Sequence, residues 1–375
     1  MAATWVFVAL SALSLLLFVY PYIIYPQLLR LFSPKSIDRK QTDLTVSLLF
    51  CAYNEIECLA KKIENLRQLR RNRPDLQILV YDDSSSDGTY EILTGAADVL
   101  TAIRGPGRTG KAAGMKTLVQ KATGDILIFT DANILLSADL IDRLLPYYGD
   151  PDVGGAACTI RTTGDPDSVT GRVGSAYVAL DDKLQQLESS TGNVMGASGG
   201  LFSVRRELYP DFPDSVQDDF AVSMSVLFQG KRLVKAPDVV GFERSVGHRN
   251  EELRRKIRIG ARAYHTHAFL RPGLRRMQPR DRMKYLSRKM LRWFGGVFLT
   301  SSAVFALAAI ATVSARAAIL VLCGALVALI FSLRSKSRPL ATAGELTLAT
   351  YATLIGVLQG MRGRATTIWA PAKSR

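Results

Sequence analysis

The chain has 375 residues, of which 48% are hydrophobic, and it carries a formal net charge of +15. This apolar share is high for a fully soluble enzyme, and the length allows one large domain or two small ones together with membrane segments. The four cysteines, at positions 51, 58, 158 and 323, have neither metal nor disulfide spacing, which fits a reducing compartment.

The apolar residues are concentrated at the two ends of the chain. Residues 1–29 carry no charge, and the run 5–25 is long enough to cross a bilayer. A cleaved signal peptide is the alternative, but the run lacks a positive leading region and a clear cleavage site. We therefore predict an uncleaved transmembrane anchor at residues 1–29. Membrane helices are predicted within residues 293–361, from apolar stretches at 293–315, 317–333 and 346–361.

Positive charge accumulates beside these apolar runs. Residues 249–292 contain 15 Lys and Arg against 3 acidic residues, and the segment ends where the second apolar run begins. A nucleic-acid patch is the alternative explanation, but the adjoining membrane span favours contact with anionic lipid, so we expect no nucleic-acid partner. The same rule predicts that the polar segment 30–248 is cytoplasmic and that residues 249–292 lie at the membrane interface.

The position of the C-terminus is less constrained. Four full spans would place the basic tail, residues 362–375, outside, whereas its Lys and Arg residues favour the inside. We expect the last apolar stretch, with Glu345 near its start, to lie in the interface instead. The run 286–293 alternates apolar residues and cations at helical spacing, which predicts an amphipathic helix that holds the soluble domain at the membrane surface.

Strand and helix patterns alternate within the polar segment. Residues 44–51, 76–81 and 125–130 are apolar runs typical of buried parallel strands, and each is followed by a helical pattern. Asn54 is suitably placed to cap the first of these helices. The alternation predicts an α/β domain with a largely parallel sheet.

Polar side chains follow three of these strands directly. They are Tyr53-Asn54-Glu55, Asp82-Asp83 and Asp131-Ala132-Asn133. Each acid could simply cap the next helix, but ligands bind at the carboxyl ends of the strands in open α/β sheets. Three such ends in register favour a binding crevice.

The residue types in this crevice suit a diphosphate and a divalent cation. The loop 104–111 offers glycine amides and cations before a helix, although it does not match the P-loop pattern. Asp131 and Asn133 supply oxygen ligands for Mg²⁺ or Mn²⁺. Asp218 and Asp219 precede a helical pattern, and the sequence allows either helix-dipole stabilisation or a general base.

In their order along the chain, these motifs resemble the family-2 inverting glycosyltransferases of the GT-A fold. The resemblance covers residues 46–262. It rests on six segments: the opening strand and its Tyr-Asn-Glu turn (46–55), an aspartate-rich motif (81–89), a Gly-Lys-Ala motif (110–116), a D-x-D-like motif (128–133), a glycine turn with an arginine (199–205), and Gln217-Asp218-Asp219 followed by 230–234.

The resemblance implies a role for each matching residue. Asp82 and Asp83, with Tyr53 and Glu55 beside them, would hold the nucleoside of a nucleotide sugar, and Lys111 would lie near that donor. Asp131 and Asn133 would bind the metal, Mg²⁺ or Mn²⁺. Asp219, paired with Asp218, would be the catalytic base. On the acceptor side the resemblance implies Gly199, Gly200 and Arg205. Arg258, with other arginines of its segment, would offset diphosphate charge or form a membrane-facing surface.

The overall plan is similar to bacterial membrane enzymes that build exopolysaccharide or glycolipid. It implies a hexosyltransferase that moves a sugar, by family habit from UDP, to a lipid-linked or glycan acceptor at the inner membrane. Processive members carry Gln-x-x-Arg-Trp after the base, whereas residues 256–262 here contain no Trp, which favours single addition over a channel-forming synthase. A non-catalytic nucleotide- or lipid-binding membrane subunit is the remaining alternative, and the presence of Asp83, Asp131 and Asp219 together argues against it.

Overall fold

The computed structural model describes residues 1–163, 169–244, 249–335 and 337–364. Two helices come first, α1 (Ala2–Val19) and α2 (Ile24–Leu29). Strands and helices then alternate: β1 (Val46–Ala52), α3 (Ile56–Asn72), β2 (Gln77–Asp82), α4 (Thr89–Thr94), β3 (Thr101–Arg104), α5 (Lys111–Lys121) and β4 (Ile126–Asp131).

The second half of this α/β unit has longer connections between its strands. It contains β5 (Leu135–Leu136), α6 (Leu140–Tyr148), β6 (Val153–Thr163), α7 (Val169–Ser190), β7 (Leu201–Arg205), a 3₁₀ turn (Arg206–Leu208), α8 (Asp218–Phe228) and β8 (Arg232–Arg244).

The rest of the described chain is helical. Its elements are α9 (Arg249–Arg276), α10 (Pro279–Tyr285), a π-helical turn (Leu286–Met290), α11 (Leu291–Trp293), α12 (Gly295–Ala311), α13 (Ala315–Arg334) and α14 (Arg338–Met361). Most of the predicted basic tail, from residue 365 onward, lies outside the described residues.

The strands form one sheet in the order β3-β2-β1-β4-β7-β6-β8-β5. β1 pairs in parallel with β2 and β4, whereas β7 runs antiparallel to both β4 and β6. Every residue of β1 is buried, and successive side chains enter opposite apolar layers: Phe50 packs in one layer and Leu49 in the other. The predicted mixed, mainly parallel sheet between apolar terminal helices is confirmed.

The turn after β1 differs from the expected helix cap. Asn54 has a left-handed backbone with φ of 51°, and its side-chain oxygen accepts a hydrogen bond from the backbone N–H of Ser86 at 2.9 Å. Helix α3 begins two residues later, at Ile56. The prediction that Asn54 caps this helix is wrong, because its side chain ties the turn after β1 to the turn after β2 instead.

The terminal helices have the composition of membrane spans. Within the described residues, three helices are long and apolar enough to cross a membrane, namely 2–19, 315–334 and 339–361, and the bent pair 279–293 with 295–311 would make a fourth. Helix α1 packs against α12, and Ser11 Oγ donates a hydrogen bond to the Ser302 carbonyl at 2.9 Å. Polar pairs of this kind stabilise contacts between membrane helices.

Helix α14 approaches α9 closely because both carry glycine at the contact. A Cβ added to Gly260 of α9 would lie 2.8 Å from the Thr353 carbonyl oxygen of α14, and one added to Gly360 would lie 3.1 Å from Tyr264 Cβ. Glu345, near the start of α14, is buried and forms an ion pair with Arg249 of α9. The last apolar stretch is therefore one side of a helix pair, and whether it spans the membrane or lies in the interface remains a prediction.

The last part of the basic segment, residues 279–292, is turned toward the protein. Arg288 is buried and forms ion pairs with Glu188 at 2.6 Å and Asp181 at 2.8 Å, both on α7. Arg292 pairs with Asp181 at 2.8 Å, and the buried Lys284 donates to the Glu188 carbonyl at 2.9 Å. Groups of α7 thus bind these three cations, and the predicted position of this segment at the membrane surface stays a prediction.

Glu188 is the residue on which this arrangement converges. Besides Arg288, its carboxylate accepts hydrogen bonds from Tyr25 Oη at 2.7 Å and from the Met195 backbone N–H at 3.0 Å. It thereby joins α2, α7, the π-helical turn and the segment that leads into β7. When one charged side chain is removed from a buried, fully hydrogen-bonded network, the charge of its partner is left uncompensated.

We predict that Glu188→Ala lowers the free energy of unfolding by about 3 kcal/mol, because it leaves Arg288 buried beside Asp181 alone. Unfolding of the detergent-solubilised protein would measure this loss. Glu64→Ala is the matched control, because Glu64 is exposed and pairs with Arg67 and Arg71 on the surface, where such pairs contribute little. A loss no larger than that of the control would contradict the prediction.

Candidate active site

The parallel register of the sheet brings the three predicted strand ends together. Ala52 of β1 lies opposite Asp82 of β2, and Cys51 lies opposite Asp131 of β4. The turns that follow these strands therefore meet at one edge of the sheet, as in other open α/β sheets.

Asp83 organises the loop between β3 and α5. Its carboxylate is fully buried and accepts hydrogen bonds from the backbone N–H of Thr109 at 2.7 Å and of Gly110 at 3.1 Å, and from Arg108 Nε at 3.1 Å. The Arg108 guanidinium lies over the Tyr53 ring, 3.2 Å from its centroid. Tyr53, Asp83 and the loop thus form one unit, and the structure shows that Arg108 and Thr109 of the loop bind Asp83 directly.

Asp82 and Glu55 also bind neighbouring turns. The buried Asp82 carboxylate accepts from the Ser85 backbone N–H at 3.2 Å. The Glu55 backbone N–H donates to Thr89 Oγ1 at 3.0 Å. The Asp82 carboxylate and the Glu55 backbone thus help to shape this end of the crevice.

Lys111 joins the two sides of the crevice. Its ammonium lies 2.6 Å from Asp131 Oδ1 and 3.3 Å from the Gly199 carbonyl oxygen. Burial alone would lower the pKa of Lys111, but the carboxylates of Asp131, Asp218 and Asp219 raise it above its ordinary value. The Lys111 side chain therefore stays protonated among three carboxylates.

Asp218 and Asp219 are both buried in the first turn of α8. Burial, with the repulsion of Asp218, raises the pKa of Asp219 to about 6, although Lys111 and Arg262 oppose this shift. Asp218 Oδ2 is buried and has no hydrogen-bond partner among the described residues. A carboxylate with a pKa near neutrality has the ionisation that suits a general base.

Gly199 lies directly against Asp219. A Cβ added to Gly199 would overlap the Asp219 carboxylate and lie 2.9 Å from its Cγ. A side chain at this position would therefore displace Asp219, which explains why glycine is needed here. Gly200 faces away from this acid, because a Cβ there would lie 2.8 Å from Ile134 Cδ1.

Asp131 is the carboxylate that a divalent cation could reach from the open end of the crevice. Its side chain is 33% exposed, at the open end of β4, and Mg²⁺ commonly takes one or two carboxylates and completes its shell with substrate phosphates. The Asn133 side chain instead donates to Glu243 Oε1 at 3.3 Å. Among the described residues, no three His, Cys, Asp or Glu side chains are grouped as a metal site. The residues thus fit a cation that is held jointly with a diphosphate.

Arg205 lies apart from this cluster. It pairs with Ile126 at the opposite end of β4, and its guanidinium donates to the carbonyls of Val153 at 2.8 Å and Tyr148 at 2.7 Å. The expected acceptor-side position of Arg205 is wrong, because the antiparallel direction of β7 carries its last residue away from Gly199.

The basic segment contributes cations near Asp219. Arg262 of α9 acts on the Asp219 carboxylate and donates to the Val216 carbonyl at 3.4 Å. Arg258 lies one turn earlier on the same helix and is half-buried. Lys289 Nζ is 5.0 Å from the ring centroid of Phe220, the residue after Asp219. The motifs did not single out Arg262 or Lys289, since their proximity depends on how α9 and the π-helical turn pack onto α8.

The chain has the GT-A glycosyltransferase fold. Its mixed sheet carries acids at the strand ends, and an acid pair begins α8. Residues 47–212 match the family described as glycosyl transferase family 2. Residues 47–212 therefore form a glycosyltransferase family 2 domain, and the resemblance read from the motifs is confirmed over these residues.

A solved structure extends this likeness beyond the sheet. The mannosyltransferase PcManGT from Pyrobaculum calidifontis, solved in complex with GDP-Man and Mn²⁺, superposes with a TM-score of 0.75. The similarity covers 95% of this chain and 99% of that one, at 24% sequence identity. The two proteins share a fold over nearly their whole lengths.

The similarity of this chain to curated relatives covers less than half of its length. The beta-monoglucosyldiacylglycerol synthase of Synechocystis is 27% identical over 169 residues, which are 44% of this chain and 35% of that protein. The synthase of the same name from Trichormus variabilis is 26% identical over 43% of this chain and 36% of its own length. The chain thus matches only about a third of the length of these relatives.

We predict that Asp83→Ala lowers the free energy of unfolding by about 1–3 kcal/mol, because it leaves the N–H groups of Thr109 and Gly110 without their acceptor. Hydrogen exchange at these two amides would accelerate. Asp98→Ala is the control, since Asp98 is exposed and pairs with Arg67 on the surface. Unchanged exchange in Asp83→Ala would contradict the prediction.

Proposed function

We propose that this family-2 glycosyltransferase transfers a sugar, with inversion, from a nucleotide sugar to a lipid-linked or glycan acceptor at the cytoplasmic face of a bacterial inner membrane. The observation that carries the proposal is the arrangement of two acids in one crevice. The Asp219 carboxylate is buried beside Gly199, and the Lys111 ammonium, which contacts both Asp131 and the Gly199 carbonyl, lies between this acid and Asp131. A base and a cationic diphosphate site on opposite sides of one crevice suit a single in-line displacement.

The donor would occupy the side formed by β2, the loop 105–110 and α5. Tyr53, Asp83 and Arg108 already form one assembly there, and the first amides of α5 with Lys111 suit a diphosphate. Asp131, with Asn133 nearby, would hold Mg²⁺ or Mn²⁺, which when bound neutralises charge on the departing diphosphate. Mn²⁺ in the Pyrobaculum mannosyltransferase complex supports this proposal.

The acceptor would approach Asp219 from the side of Gly199. Asp219 removes the proton of an acceptor hydroxyl, and the acceptor oxygen forms its bond to the anomeric carbon as the bond to the diphosphate breaks. Arg262 and Lys289 lie on this side and belong to the segment that leads into the apolar helices. This continuity supports an acceptor delivered from the membrane.

A glycerolipid hydroxyl is the acceptor that this chemistry favours. Two of the curated relatives that match the domain are beta-monoglucosyldiacylglycerol synthases by name, and three helices among the described residues have the length and composition of membrane spans. A hydroxyl also requires a base, which Asp219 would provide.

The test is a donor screen on detergent-purified protein with Mn²⁺ and lipid extract, following nucleoside diphosphate release from a panel of UDP- and GDP-sugars. We expect release with one donor and its loss in Asp219→Asn, while nucleotide binding persists. Asp214→Asn is the control, because Asp214 is half-exposed and pairs with Lys116 outside the crevice. Full turnover in Asp219→Asn would remove this residue from the mechanism.

The pKa of Asp219 predicts the pH dependence. Because burial and Asp218 raise this pKa to about 6, the base becomes protonated as the pH falls through that value. We expect kcat/KM to fall about tenfold for each pH unit below it. Asp218→Asn removes the repelling charge, so the acid limb shifts to lower pH. A profile that is flat through pH 6 would exclude Asp219 as the titrating base.

A further inference from the structure

The contact between Lys111 and Asp131 has a consequence for the order in which the site fills. Lys111 Nζ lies 2.6 Å from Asp131 Oδ1, and the two side chains are only 17% and 33% exposed. The carboxylate through which a divalent cation would bind is thus already paired with an ammonium. A second cation at that oxygen would meet repulsion at short range in a partly desolvated site.

Few other ligands are offered to a metal that arrives alone. Asn133 donates to Glu243, and no group of three acidic, His or Cys side chains forms a metal site in the described part of the chain. One carboxylate, shared with a lysine, makes a weak site for a cation that requires six oxygen ligands.

A nucleoside diphosphate changes both conditions at once. Its oxygens supply the missing metal ligands, and its negative charge offers the ammonium a second partner. Lysine is a point charge on a flexible stem, so it can turn from one partner to the other without moving the backbone. Lys111 is the first residue of α5, directly after the loop where the diphosphate would lie.

We propose that Lys111 is the resident counter-ion of Asp131 in the donor-free protein, and that the diphosphate and its metal displace it together. This inference rests on the proposed function, because it requires Asp131 to be the metal ligand. Metal and nucleotide then bind with positive cooperativity, and by linkage each raises the affinity for the other by the same factor.

The displacement also reaches the acceptor side. Lys111 donates to the Gly199 carbonyl at 3.3 Å, and Gly199 packs against the Asp219 carboxylate. When Lys111 turns to the diphosphate, it releases this carbonyl, so that donor binding loosens the glycine turn beside the base. Lys111 is therefore a positioning residue for both halves of the crevice.

Mn²⁺ binding to the full-length protein in detergent, followed by paramagnetic resonance of the free ion, tests the proposal. We expect weak binding of Mn²⁺ alone to the wild type, and binding at least about tenfold tighter with saturating UDP, or GDP if the donor screen selects it. In Lys111→Gln, Mn²⁺ alone should bind about tenfold more tightly than to the wild type, and the gain from nucleotide should shrink. Lys111→Arg, which keeps the charge, should retain weak binding of Mn²⁺ alone.

Lys116→Gln is the matched control. Lys116 lies on the same helix but pairs with Asp214 and donates to the Phe212 carbonyl at 3.0 Å. Equal affinity for Mn²⁺ alone in Lys111→Gln and the wild type would overturn the proposal. It would also be overturned if Lys116→Gln raised the affinity for Mn²⁺ as much as Lys111→Gln does, because this would show a general effect of net charge.

Asp131→Asn separates this inference from the proposed function. If Asp131→Asn keeps nucleotide-dependent Mn²⁺ binding, the metal assignment itself fails. If Asp131→Asn loses that binding and Lys111→Gln behaves as the wild type, the metal assignment stands and only the counter-ion role is wrong.

Discussion

The parallel pairing of β1 with β2 on one side and β4 on the other is the constraint on which the site depends. It places Ala52 opposite Asp82 and Cys51 opposite Asp131, so that acids far apart in the chain reach the same edge. Because β1 is buried along its whole length, a shift of register would move apolar side chains out of both packed layers. The positions of the acids are thus fixed by the free energy of the core and not by interactions among the acids themselves.

The second fixed element is the set of buried ion pairs around Glu188. Tyr25, Arg288 and the Met195 backbone all bind this carboxylate, so the N-terminal helices, α7 and the basic segment hold a defined position around the chain that leads to Gly199. Such pairs fix geometry more than they add stability, because the cost of desolvating the charges offsets much of their attraction. The basic segment therefore belongs to the architecture of the crevice as well as to the membrane-proximal part of the protein.

Electrostatic imbalance marks the crevice as the functional part of the fold. Three carboxylates, of Asp131, Asp218 and Asp219, act on one ammonium, that of Lys111, and the pKa of Asp219 is raised as a result of burial and repulsion. Natural cores rarely retain such groups without a chemical role, and perturbed pKa values cluster at functional sites.

The sequence by itself determined the apolar ends, the alternation of strands and helices, and the acids that follow β1, β2 and β4, because these are signals of local period and composition. It also supplied the ordered motifs of the family. Only the tertiary structure decided that Arg205 points away from Gly199, that Arg288 is buried against α7, and that Arg262 and Lys289 approach α8. Those facts depend on strand direction and on pairings between distant segments, and no local pattern in a single chain records which cation will meet which carboxylate.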